Sequence, residues 1–279
     1  MPGVQTCALP ISINMYADDT VLYFTSLCSL EINKVVQDTL NRVVKSIECN
    51  KLILNHSKTK TILFGSWQNL PKSPNFCIQL HGNILEKVRK FSYLGVFLDK
   101  TLSWKDHIEY VSSKVSSRLG LPSWIRACLT LEASKQVYNS LMQPPFDYAD
   151  AAWGEISKGC CKELQRLQNR AARIILGRKT SKNAFLLLNW LSLACKRKLH
   201  KCSLVFKCLN NLLPKYLTEY FIRNKAFHDY GTRRSNNLHP PKPKTNMGKR
   251  TFKYAGIIHF NFLPAHIKTA PCFSNSKVC

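Results

Sequence analysis

Acidic residues are scarce: the 279-residue chain carries 16 Asp and Glu against 41 Lys and Arg, a formal charge of +25. That imbalance favours a polyanionic partner, either nucleic acid or an anionic membrane surface. Long apolar runs are also absent. The nearest, Ala184 to Ala194, is too short for a bilayer and is interrupted by Asn189. With no signal peptide either, a membrane is set aside in favour of nucleic acid and an intracellular location, cytoplasm and nucleus. Paired cysteines are missing as well: 12 are scattered, none in a Cys-x-x-Cys pair. Cys195, His200, Cys202 and Cys208 lie close together, but their spacing matches no zinc knuckle or finger, and reduced, mostly buried thiols are the simpler reading. No internal repeat occurs.

What is present begins with Tyr16-Ala17-Asp18-Asp19. Apolar residues lead into two adjacent carboxylates, and a β-prone run, Thr20 to Phe24, leaves them. The pattern predicts a tight β-hairpin whose buried strands hold two aspartates at the tip. An ordinary polar turn and a site for a hard, oxygen-seeking divalent cation both fit these four residues. Upstream, Gly3 to Ile11 resembles a translated sequencing adapter, so residues 1–12 are expected to be a non-native leader.

Downstream, Ile32, Val35, Val36, Leu40, Val43, Val44 and Ile47 repeat at helical spacing, with Ser29 as a candidate N-cap and an end near Cys49-Asn50. Such a stripe packs on a sheet. A loop and short strand follow over 52–65, where Lys58 and Lys60 fit either a solvated loop or phosphate contacts. A hairpin with Gly82-Asn83 at its turn is expected next, then a strand over 91–98 in which Gly95 marks a bulge or a close backbone approach. Trp104, Ile108, Val111, Val115 and Leu119 share one helical face, which Gly120 should end. Helices are also expected over about 131–141, 163–177 and 181–211. In the second of these, Arg166, Arg170 and Arg173 form one basic stripe, either a solvated face or a ridge that tracks phosphates. The segment from 216 onward, with Arg233, Arg234 and Pro240-Pro241, reads as extended, basic and loosely ordered, its aromatics Phe252, Tyr254, Phe260 and Phe262 suggesting that it docks on something.

Taken in order, these motifs resemble the reverse transcriptase of non-LTR retrotransposons of the jockey and chicken-repeat type, from mid-palm to C-terminus. The residues that carry the resemblance are Tyr16 to Asp19, Leu54-Asn55 with Ser57 to Lys60 and Phe64-Gly65, Tyr93 to Val96 with Leu102 to Trp104, Pro145 to Tyr148 with Trp153-Gly154, Leu164 to Arg173, and Arg250 to Gly256. The resemblance implies an α+β fold with a partial palm over 13–100, a helical thumb and connection over 101–215 and a basic terminal segment over 216–279. It also implies an RNA template, a DNA primer, deoxynucleotides and two Mg2+ ions as partners of the complete enzyme. By the match, Asp18 and Asp19 would hold metal, Lys58 would lie near the leaving phosphates, and Tyr93 and Gly95 would hold the primer end. Arg166, Arg170, Arg173, Arg233 and Arg234 are the nucleic-acid contacts expected from the basic segments. Two departures accompany the match. No acidic residue precedes Asp18, so the further palm aspartate is missing along with the fingers, and the terminal Trp-Asn pair is replaced by His259-Phe260-Asn261-Phe262. The expectation is therefore a fragment of an RNA-directed DNA polymerase that does not polymerise alone, with a non-catalytic nucleic-acid-binding module as the alternative.

Overall fold

A computed structural model describes residues 12–26, 29–70, 76–177, 183–226 and 235–268. The chain divides into two compact units, Met1–Ser103 and Trp104–Cys279, described separately below. The architecture is α+β: three two-stranded antiparallel sheets in the first unit and helices in the second.

In the first unit, β1 (Ser12–Tyr16) and β2 (Asp19–Tyr23) pair in the register Tyr16↔Asp19 to Ser12↔Tyr23. The strands are not buried: Met15 is 72% and Tyr16 65% exposed, because among the described residues the sheet stops at two strands and no layer covers these side chains. Helix α1 (Ser29–Cys49) turns Leu40 and Val44 onto Ile78, Leu80 and Leu85, with Leu22, Val36, Leu54 and Phe76 around them. This is the 3.6-residue stripe meeting a hairpin, β3 (Gln79–Leu80) and β4 (Asn83–Ile84). The Gln37 amide extends that hairpin's hydrogen bonding: it donates to the Gln79 carbonyl and accepts from the Gln79 N–H, both at 2.8 Å. The turn is His81-Gly82, one residue earlier than expected from Gly82-Asn83, and both residues have positive φ, as a two-residue type I′ turn requires.

A second correction concerns Gly95. It lies in the Leu94-Gly95 turn between β5 (Lys90–Tyr93) and β6 (Val96–Asp99), again with positive φ at both positions, and not inside a strand. The expected strand in 52–65 is reduced to a single bridge, Thr61↔Lys87. Asp99, buried at the end of β6, accepts from Thr101 Oγ1 and from the N–H groups of Thr101 and Ser103, closing the unit with an Asx-type turn.

In the second unit, α2 (Lys105–Arg118) buries Ile108, Val111 and Val115 on the predicted face. Gly120 does not end the helical path. It opens α3 (Gly120–Ile125), since nothing crowds it and its neighbour Leu119 keeps helical φ. Leu119, Pro122, Tyr138, Met142, Ala171 and Ile175 converge from α2, α3, α4 (Leu131–Leu141) with its C-cap Met142, and α7 (Lys158–Leu176). The Pro-Pro step after α4 supplies the first turn of α5 (Gln143–Asp147), where a missing N–H costs nothing. Ala149 in the left-handed region then sets the start of α6 (Asp150–Trp153).

The single helix expected over 181–211 is two: α8 (Ala184–Leu188) and α9 (Leu193–Leu209), parted at left-handed Asn189. Asn tolerates that conformation better than most residues, and Ser192 then caps α9 through the Cys195 N–H. The C-terminal segment is not loosely ordered where it is described. After α10 (Lys215–Thr218) and α11 (Asn246–Lys249), α12 (Phe252–Asn261) lies on α9, with Val205, Cys208, Phe221, Leu238, Ile257 and Phe260 in one core, before α13 (Ala265–Lys268). Of the four aromatics, Phe260 is buried, Phe252 packs at the core's edge and Phe262 is exposed. Gly256 permits the close approach: a Cβ there would meet Val205 Cγ2 at 3.0 Å.

Candidate functional site

The hairpin tip is the first candidate. A two-residue loop, Ala17-Asp18, joins β1 to β2, and Asp19 opens β2. Ala17 carries φ 52, a left-handed value at the first loop position that an L-residue reaches only with strain. Both carboxylates are exposed on adjacent residues. Their donor chemistry, oxygen only and open to solvent, fits a hard cation, and Mg2+ keeps several waters of its own. No third carboxylate joins them within metal-binding reach among the described residues. Lys58 is exposed on the turn built by Asn55, whose Oδ1 accepts from the Lys58 N–H, and no hydrogen bond or ion pair links it to the two aspartates. Its neighbour Lys60 is engaged by Glu86. Tyr93 is half-buried beside the Leu94-Gly95 turn.

The basic stripe is the second candidate. Ser157 caps α7 by accepting from the Cys160 N–H, and Leu164, Gln168, Ala171, Ala172 and Ile175 bury one side of the helix. Arg166, Arg170 and Arg173 stand exposed on the other, and none is ion-paired among the described residues. Lys162, one turn earlier and also exposed, extends the stripe, an addition that the same i, i+4 spacing could have supplied. Arg233 and Arg234 lie outside the described residues.

Other basic residues have a different use. On α9, Lys201 is almost fully buried against Glu155, which His259 of α12 also approaches at 3.3 Å. Lys196 pairs with Asp147 at 2.8 Å and His200 Nδ1 lies 2.7 Å from Asp150 Oδ2. Burial would raise the Glu155 pKa, but hydrogen bonds from His259 and Lys201 outweigh it and hold the carboxyl at about 2. Burial raises that of Asp150 despite His200. Ligand atoms of Asp147, Asp150 and His200 lie within 4.8 Å of one another, yet Gln143 and Lys196 already bond Asp147, so the group reads as an ion-pair network. Sequence reasoning missed it because its partners stand 46 to 104 residues apart. The cysteines near His200 do not assemble: Cys202 and Cys208 are buried and Cys195 is exposed.

A probable RNA-directed DNA polymerase from transposon BS of Drosophila melanogaster is 30% identical over 163 residues, 57% of this chain. The chain is similar to transposon-encoded RNA-directed DNA polymerases. A second such polymerase, from the X-element of the same fly, is 23% identical over 58% of the chain, and that of the mobile element jockey from Drosophila funebris is 24% identical over 60%. In each case the aligned region spans 18% of the polymerase's own length. No family model matches the chain, and no solved structure matches it. No described helix is long and apolar enough to cross a membrane.

Proposed function

We propose that this chain supplies part of the palm and the thumb of a non-LTR retrotransposon reverse transcriptase, and that its own activity is to bind nucleic acid. The observation that carries the reading is the pair Asp18 and Asp19 at a strained two-residue turn, in a chain whose relatives are RNA-directed DNA polymerases. In the complete enzyme Asp18 and Asp19 would hold Mg2+. Bound there, the ion would offset the charge of the incoming triphosphate and favour ionisation of the primer hydroxyl. The short loop fixes where the carboxylates point, Lys58 adds a cation toward the leaving phosphates, and Tyr93 with Gly95 steadies the primer end. The ridge on α7 and the basic pair Arg233-Arg234 would track the backbone of template and primer.

Two carboxylates on one turn do not complete a two-metal site, because each ion needs several fixed oxygen ligands. The chain alone therefore binds primer and template without extending the primer. Primer extension on a homopolymer RNA template tests this directly. Incorporation that disappears in Asp18→Asn would overturn the inactivity, whereas no incorporation together with salt-sensitive RNA binding supports it.

A further inference from the structure

A concavity of about 410 Å³ opens in the first unit, lined by His56, Ser57, Lys60, Phe76, Lys87 and the β4 end at Ile84-Leu85, among others. Its volume falls in the range of small-molecule sites, about 300–1,000 Å³. Neither hairpin carboxylate lines it, nor does Lys58. Two walls face each other across it: the turn at 56–60 and the segment that leaves β4. The Thr61–Lys87 bridge pins them, with the Thr61 N–H donating to the Glu86 carbonyl at 3.0 Å and the Val88 N–H to the Thr61 carbonyl at 2.8 Å.

The chemistry of the lining is mixed in an informative way. Lys60 is neutralised by Glu86. Lys87 is not paired with a carboxylate among the described residues; its Nζ sits 5.4 Å from the centroid of the Phe76 ring. The rim thus holds a cation set over an aromatic face and, among the described residues, paired with no carboxylate, beside a second cation whose partner can be exchanged. His56 is the remaining titratable group on the lining besides Cys77. An anion suits the rim, and a flat ring suits Phe76 and the apolar floor.

We propose that this cavity binds a nucleoside monophosphate unit, with its phosphate against Lys87 and Lys60 and its base against Phe76. The unit is either a free nucleotide or an unstacked residue of a single strand; the ligand chemistry is the same. The assignment goes beyond the polymerase reading and needs neither Asp18, Asp19 nor a metal.

The test uses the full chain in chelator, with uridine 5′-monophosphate as the probe and ligand-observed NMR as the readout. Uridine alone and inorganic phosphate alone should each bind more weakly than the monophosphate. Lys87→Gln should weaken the monophosphate about tenfold, the scale of one charge-assisted hydrogen bond. Glu86→Gln should tighten it by freeing Lys60. Both side chains are exposed, so an unchanged circular dichroism spectrum is the folding control. An oligouridylate that displaces the monophosphate identifies the strand as the source, and one that binds without displacing it identifies the free nucleotide. Equal affinity for uridine and its monophosphate, or wild-type affinity in Lys87→Gln, overturns the proposal. Arg166→Ala should leave monophosphate binding unchanged, so failure here is distinguishable from failure of the ridge on α7.

Discussion

The two units of this chain divide the labour unevenly. Unit Met1–Ser103 carries the Asp18-Asp19 turn but only 11 basic residues against 7 acidic, and among its described residues no sheet exceeds two strands. Unit Trp104–Cys279 carries 30 basic against 9 acidic and builds its core from crossing helices. The groups suited to chemistry stand on a thin scaffold, and the groups suited to holding a polyanion stand on a well-packed one. That contrast is what the proposal of a binding role for the helical unit rests on. Net charge alone would overstate that role, since Lys196, Arg197 and Lys201 are spent on internal contacts: Lys196 and Lys201 on ion pairs, Arg197 on Cys161 and the Trp153 ring.

The comparison can be broken at several strengths. Phe260→Ala should be the most damaging change, costing about 3–5 kcal/mol by emptying the core between α9 and α12. Met15→Ala on the exposed hairpin should cost under about 0.5 kcal/mol. Urea denaturation of both variants checks the contrast, and equal losses would show that the hairpin is better buried than described. Lys201→Ala should follow at about 2–4 kcal/mol, because it leaves Glu155 with His259 alone. If melting temperatures match the wild type, the pair is not structural.

Acid should act on the helical unit in two windows. His107, buried against Trp153, is held neutral by desolvation with a pKa of about 4, below its ordinary 6.5. Its contribution is complete above pH 6.5 and is lost as pH falls toward 4. Glu155, depressed to about 2, contributes above its ordinary 4.5 and is lost between there and 2. His107→Gln should therefore flatten the upper window of a stability-against-pH profile and leave the lower one. The turn offers a modest gain: Ala17→Gly should stabilise by about 0.5–1 kcal/mol, since glycine adopts positive φ without strain.

Much of this was legible in the residues. The Asp-Asp hairpin, the stripe of α1, the extent of α4 and the arginine face of α7 all follow from periodicity and turn chemistry. What was hidden has physical reasons. Leu94 is a poor advertisement for a two-residue turn, so Gly95 read as a bulge. The break at Asn189 carries neither Gly nor Pro to mark it. The docking of α12 depends on Gly256 clearing Val205, fifty-one positions away in sequence and therefore invisible to local pattern. The ion pair of Lys201 with Glu155 is long-range in the same way, so nothing local in the sequence marks that lysine as buried.

The most direct test of the central claim is a titration against single-stranded RNA at several salt concentrations. Replacing Arg166, Arg170 and Arg173 together by Gln should lower the slope of log affinity against log salt by about 2, as expected for three lost phosphate contacts on a single strand, while Asp18→Asn leaves it unchanged. A slope that is unaltered in the triple variant, or that changes in Asp18→Asn, would contradict the assignment of binding to the helical unit.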